Sequence, residues 1–275
     1  MSKHPKNDSR EPLPEEQQDE VEEHLPLRSP VMYEVVRQEG EIELSRPLAS
    51  LWWSGVSAGI AMFSSVMAQG VLHEHLPDEH WKPLVASFGY CFGFIIVVLG
   101  RLQLFTENTI TAVLPLLASW SSVRLARTLR LWGVVLAANV AGTFLTAALV
   151  IWTGMLPALY VAAMLDVAGH FAANSSLEAL LYGIPAGFLI AAIVWVTPNA
   201  ESAKFSIVVW LTYLIGVGGL THVVVGSAEL GLLLVNGSIG VGEVLRVLIP
   251  TLVGNVVGGT GLFALLAYAQ IKEEI

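Results

Sequence analysis

The chain has 275 residues, of which 54% are hydrophobic and 13% charged, and its mean hydropathy is +0.65. An ordinary soluble domain is about 25% charged, and here residues 1–47 alone hold 12 acidic and 6 basic residues, −6 of the −9 total. These figures exclude a soluble globular enzyme, a disulfide-stapled secreted domain and a nucleic-acid binder. The single cysteine, Cys91, excludes an internal disulfide and a thiolate metal site.

Residues 1–46 read as an acidic cytoplasmic arm. Residues 1–30 are rich in Glu, Gln, Pro and Asp and are expected to be disordered. No basic start with a cleavable apolar core is present, so the arm is not a signal peptide. Over 31–44 the apolar spacing of Val31, Met32, Val35, Val36, Ile42 and Leu44 is partly helical. A helix lying on the membrane surface and a solvated pre-membrane arm fit these residues equally well.

A bilayer core needs about 20 apolar residues per helix. Charge-free runs cover 47–72, then 84–100 and 108–123, separated by Arg101 and Glu107. Further runs cover 131–165, 179–200, 205–228 and 247–271, with Gly154 and Pro157 stopping the helix of the first of these. The expected fold is an all-α integral membrane domain over 47–272. It has six crossings, the second and fifth irregular. Arg124, Arg127 and Arg130 crowd the link between spans two and three, and Lys/Arg-rich links face the cytoplasm. Lys204 and Lys272 then fall inside as well, and both termini are expected to be cytoplasmic. The link between spans one and two carries His73, His75 and His80. H-E-x-x-H spacing fails there because residue 77 is Pro, so no metal site is expected.

Short motifs recur between the halves. "GVSAG" at 55–59 matches "GIPAG" at 183–187, a spacing of 128, and "NVAG" at 139–142 matches "NVVG" at 255–258, a spacing of 116. The repeats are about 47–165 and 177–272. Three spans per repeat invert the second copy in the bilayer, an architecture in which two interrupted helices meet near the midplane. The spacing of 116 places Leu104 on Leu220 and Thr106 on His222. The G-x-x-x-G pairs let helix backbones pack closely.

Span two carries Arg101, Gln103, Thr106, Glu107, Asn108 and Thr109 in its middle. A charge at mid-membrane costs about 2.5–3.5 kcal/mol on insertion scales. These residues therefore face protein or a cavity, and the backbone is expected to unwind. Arg101 and Glu107 either pair with each other or serve a pathway. Span five breaks at Gly216, Gly218 and Gly219, and His222 follows at once. A lone His on an apolar helix is usually a packing residue; after a glycine break at mid-membrane a functional His is favoured.

"LFTEN" at 104–108 and "GLTH" at 219–222 resemble the formate/nitrite transporter family, whose corresponding stretches read like L-F-T-G-N and G-F-E-H-S. The resemblance extends over "NVAG", "SLEALLYGIPAGFLIAAIVW" and "GNVVGG", roughly residues 32–272. It implies an aquaporin-like six-helix fold and a homopentamer with one pore per protomer in a bacterial inner membrane. It also implies passage of small monovalent anions or their acids, such as formate, nitrite, acetate, lactate or hydrosulfide. Proton handling falls to His222 with Thr106 opposite, and Leu104, Phe105 and Leu220 narrow the pore. The chain departs from the family pattern at Arg101, Gln103, Glu107, Thr221 and Phe171, the last standing where a vestibule Lys is usual. No cofactor, metal or nucleic-acid partner is expected. A neutral-solute channel and a non-transporting membrane scaffold are the other readings. An intramembrane enzyme fits least, since no nucleophile–base pair is evident.

Overall fold

The computed structural model describes Pro14, Gln17 and residues 25–274. The disorder expected over residues 1–30 falls mostly outside the described residues. Among the described residues all regular structure is helical. In chain order the helices are α1 (Ser29–Ser45), α2 (Leu48–His75), α3 (Lys82–Leu99), α4 (Asn108–Ala118) and α5 (Ser122–Thr153). There follow α6 (Ala158–Ala172), α7 (Ser176–Val196), α8 (Lys204–Val217), α9 (Val223–Val235) and α10 (Val241–Ile271).

Local signals explain the ends. Ser121 caps α5 by accepting from the Arg124 N–H at 3.1 Å, and Gly154 ends it in the left-handed region at φ 66°. Ser175 and Glu178 form a reciprocal capping box on α7. Among the described residues five helices are long and apolar enough to cross a membrane: α2, α3, α5, α7 with its short extension to Asn199, and α10. The expected fifth crossing does not qualify in one piece. It is split into α8 and α9, of 14 and 13 residues, because residues 218–222 leave the helix. The link after Gly154 holds a helix the sequence reading did not anticipate: α6, started by Pro157.

The bundle is two halves built alike. In the first, Gly55 and Gly59 of α2 bring its backbone onto α5 at Ala138, Asn139 and Gly142. In the second, Gly183 and Gly187 of α7 meet Gly254 and Asn255 of α10 in the same way. A Cβ on Gly59 or Gly187 would collide with the Asn139 or Asn255 backbone, and one on Gly55 with the Ala138 Cβ, so the small residues set the interhelical distance. Each Asn then anchors a broken helix. Asn139 Nδ2 donates to Gly55 O and Gln103 O, both at 2.8 Å, while its Oδ1 accepts from the Phe105 N–H at 2.9 Å. Asn255 Nδ2 donates to Gly183 O and Thr221 O, both at 2.9 Å, and its Oδ1 accepts from the Val223 N–H at 2.8 Å. Six backbone groups freed by the breaks or left facing the seam are satisfied by two side chains, as burial demands.

These bonds correct the register at the breaks. Asn139 reaches back 34 residues to Phe105, but Asn255 reaches back only 32 to Val223. The first half has two extra residues between its break and its third helix. Leu104 therefore corresponds to His222, and Phe105 to Val223, at a spacing of 118 rather than 116. Backbone conformation agrees: Arg101 at φ 52° stands where Gly219 stands at φ 60°.

Helix α1 packs on this frame through buried Tyr33, Val36, Gly40 and Leu44. Arg124 donates to Glu41 at 2.6 Å, Arg130 to Leu44 O at 2.8 Å, and Gln270 to Ser29 Oγ at 3.0 Å. The start of α1, the α4–α5 link and the end of α10 thus share one end of the bundle. At the other end His73 pairs with Asp166 at 3.2 Å, and His75 shares a hydrogen bond with Tyr160 at 2.9 Å.

Candidate functional site

The two breaks meet in the core. Thr106, at the end of the first, and His222, at the end of the second, are both fully buried. Thr106 Oγ1 lies 2.8 Å from His222 Nε2. His222 caps α9: its Nδ1 accepts from the Val225 N–H at 3.4 Å. That bond assigns the hydrogen to Nε2, which then donates to Thr106 Oγ1. The Thr106 hydroxyl hydrogen is left to point elsewhere. Phe94 covers the imidazole edge-on, with ring centroids 5.0 Å apart.

On the α1 side of this pair lies a cavity of about 360 Å³. Leu104, Glu107, Asn108 and Arg101 line it, with Lys204, Glu39, Glu43 and Glu201. Four carboxylates face two cations, so the cavity is acidic. Two links across it tie α1 to the first break. Arg101 donates to Glu39 at 3.2 Å. Gln103 donates through Nε2 to Glu43 at 2.8 Å, and its Oε1 accepts from Asn108 Nδ2 at 3.1 Å.

The Arg101–Glu107 pair offered by the sequence is not formed. The Arg101 side chain is 79% exposed and bridges to Glu39, 62 residues away. Its left-handed backbone turns it out of the loop, toward α1. Glu107 stays in the cavity wall. Phe105 is buried with its ring edge-on to Trp132, centroids 5.8 Å apart. Leu220 lines a separate apolar cavity of about 490 Å³ with Ile184, Phe188 and Leu214. Thr221 donates to Ala179 O at 2.6 Å, fixing the second break to α7. Phe171 of α6 packs its ring onto Gly226 of α9, one turn beyond His222.

Of the residues singled out from sequence, the structure brings Thr106 and His222 together and places Arg101, Leu104, Glu107 and Asn108 in the wall of the acidic cavity. Sequence reasoning missed Glu39, Glu43 and Phe94. It also read Asn139 and Asn255 only as repeat markers. Their recurrence in both halves, as the one polar residue of each motif, was the available signal.

A family profile described as "Formate/nitrite transporter" matches residues 30–269. The chain belongs to the formate/nitrite transporter family. A family relative, "Inner membrane protein YfdC" of Escherichia coli (strain K12), is 38% identical over 255 residues, 92% of this chain and 82% of that protein. "Uncharacterized transporter YrhG" of Bacillus subtilis (strain 168) is 27% identical over 249 residues, 86% of this chain and 91% of that protein. Among solved structures, an "FNT family ion channel" superposes with a TM-score of 0.75 at 18% identity, covering 88% of this chain and 98% of that one. A "Pentameric formate channel with formate bound" superposes at 0.69 with 19% identity, over 82% and 98%. The fold of this formate/nitrite transporter family chain is thus the channel fold, in a membrane protein with several spanning helices.

Proposed function

We propose that the chain is an inner-membrane channel or transporter for small monovalent anions or their acids, of the formate, nitrite, acetate, lactate or hydrosulfide class. It crosses the bilayer six times, with α3–α4 and α8–α9 as interrupted spans. Its termini are cytoplasmic, and it works as a homopentamer with one pathway per protomer. The observation that carries this reading is the buried Thr106–His222 hydrogen bond, formed where the two broken helices meet. A pentameric formate channel of the same fold supports the assembly.

The pathway runs from the acidic cavity, past Leu104, to Thr106 and His222. A bare anion in a low-dielectric constriction costs on the order of tens of kcal/mol. Protonation removes most of that cost. His222 with its Nε2–H aimed at Thr106 can donate a hydrogen bond to an arriving anion once Thr106 yields it, and the Thr106 hydroxyl can follow; the proton itself passes to the anion as one from solvent enters at Nδ1, so the ring ends neutral. The N-terminus of α9, which His222 caps, adds partial positive charge at the same point. Flux into proteoliposomes tests the reading across formate, nitrite, acetate, hydrosulfide and glycerol. Anion or acid flux without glycerol flux is expected. Glycerol flux in place of it would instead identify a neutral-solute channel.

A further inference from the structure

Beyond His222, on the side away from α1, lies a second buried polar layer that the pathway reading does not use. Glu229 is seven residues along α9 from His222. At 3.6 residues per turn the two share a face, about 10 Å apart along the axis. The opposing face of α3 is matched to it: Phe94 covers His222, and Tyr90, one turn earlier, sets its ring 5.4 Å from that of Phe94. Gln69 of α2 borders the same turn. Ser65, one turn before it, donates to Tyr90 O at 2.6 Å, and a Cβ on Gly89 would collide with the Gln69 backbone. Gln69, Tyr90 and Glu229 are 9%, 5% and 6% exposed.

The three polar ends lack partners in two ways: Gln69 Oε1 is fully enclosed, while the Glu229 carboxyl and the Tyr90 hydroxyl keep some surface open. Gln69 Oε1 has no hydrogen-bond partner. Among the described residues, neither the Glu229 carboxyl nor the Tyr90 hydroxyl makes a hydrogen bond or ion pair. No cation faces Glu229 from its neighbours. His73 of α2 is taken by Asp166 of α6, and His75 by Tyr160. Arg246 of α10 donates to the Ala172 and Asn174 carbonyls, and Glu243 caps Gly240. α5 carries no titratable side chain after Arg130. An uncompensated buried carboxyl costs several kcal/mol unless something supplies a hydrogen. Intramembrane ionisable groups of this kind mark pathways.

The Gln69 amide offers one oxygen and two N–H groups and Tyr90 one O–H, while Glu229 sets two carboxyl oxygens beside them with no cation to balance a second negative charge. A bare anion brings only more acceptors. An undissociated small acid brings an O–H for Glu229 or Gln69 and a carbonyl for the Tyr90 hydroxyl. We propose that Gln69, Tyr90 and Glu229 form an outer binding site for the undissociated form of a small carboxylic acid. This rests on the pathway proposed above and deepens it. The solute is held in neutral form before or after its exchange at His222.

Difference infrared spectroscopy of the purified oligomer with isotope-labelled formate tests the site apart from transport. At neutral pH free formate is ionised, so a labelled undissociated-acid band reports the site alone. The band is expected in the unaltered protein and absent in Glu229→Leu. Its absence from the unaltered protein, or its persistence in Glu229→Leu, would overturn the proposal. Should Glu229→Leu fail to assemble, Tyr90→Phe serves: a shifted or weakened band supports the site and an unchanged one overturns it. In proteoliposomes Glu229→Leu should lower formate flux about tenfold, the loss of one to two hydrogen bonds. Glu229→Gln, which keeps an acceptor oxygen, should lower it less. Bound acid without any formate flux would contradict the transport reading and leave the binding site standing.

Discussion

The two helix breaks have the same backbone and opposite chemistry. Each leaves its helix at a glycine, Gly100 or Gly218, turns through one left-handed residue and is pinned by a buried Asn. At the second break the left-handed residue is Gly219, beside an apolar cavity. At the first it is Arg101, beside an acidic one. A non-glycine residue there costs about 1–2 kcal/mol. The exposed Arg101–Glu39 pair returns only about 0–1 kcal/mol. The ion pair therefore does not hold the strained turn by itself; the three bonds of Asn139 do. Backbone geometry is dictated by the anchors and the small-residue seams, which leaves side-chain chemistry in each half free to diverge.

The largest effects should come from the anchors. Asn139→Ala and Asn255→Ala each strand two buried backbone groups of a break, Gln103 O with Phe105 N–H or Thr221 O with Val223 N–H, at about 1–3 kcal/mol apiece. Both should sharply reduce oligomer yield and melting temperature in detergent. Melting curves unchanged by either substitution would break the comparison. Next come the left-handed residues, where the signs differ. Nothing lies within 4 Å of a Cβ on Gly219, so Gly219→Ala costs only conformational strain, about 1–2 kcal/mol. Arg101→Gly should be neutral to stabilising, since strain relief exceeds the lost pair. Equal destabilisation by both would show that the two turns are not equivalent.

Glu39→Gln should barely move the melting temperature. A loss as large as that of Asn139→Ala would transfer the anchoring role to α1. Smallest is the effect of acid on α1 itself. The Glu34 carboxyl is held at about 2 by its hydrogen bonds from Arg37 and Gln38. Because its folded value is depressed, its contribution is complete at neutral pH, begins to fade only below the ordinary carboxylate range, and is gone near pH 2. Amide protection factors along α1, taken against the intrinsic rate at each pH, should therefore be steady from neutral to mildly acid pH, where Glu34→Gln should be the less protected.

What could be read from the sequence follows from the range of the forces involved. Apolar runs, helix stops and the G-x-x-x-G seams are local, and they appear in the structure as the long helices and close-packed pairs. His222 stood out because it follows a glycine break, and Thr106 because it lies in the polar break of span two; the repeat, read two residues out of register, paired them for the wrong reason. The register was two residues off because short motifs fix helices α5 and α10 but not the link lengths between them and the breaks. The partner of Arg101 was out of reach for another reason. Glu39 sits on α1, whose docking depends on Gly40, Tyr33 and Val36 meeting α4 and α10, and no periodicity announces that. Glu229 is one acid in an apolar stretch, which the sequence reading passed over; only the fold gives it company.

The central claim is that the junction of the two breaks lies on the solute's route and that His222 handles its proton. Formate flux into proteoliposomes, measured against outer pH for the unaltered protein and for His222→Asn, tests it most directly. Flux above the acid's own pKa should fall about tenfold per pH unit if the neutral acid moves alone, and less steeply where His222 supplies the proton. The account predicts that the unaltered protein shows the shallower dependence and that His222→Asn, assembled as a normal oligomer, loses either the flux or its shallow slope. An assembled His222→Asn protein with the same flux and the same pH profile would contradict it.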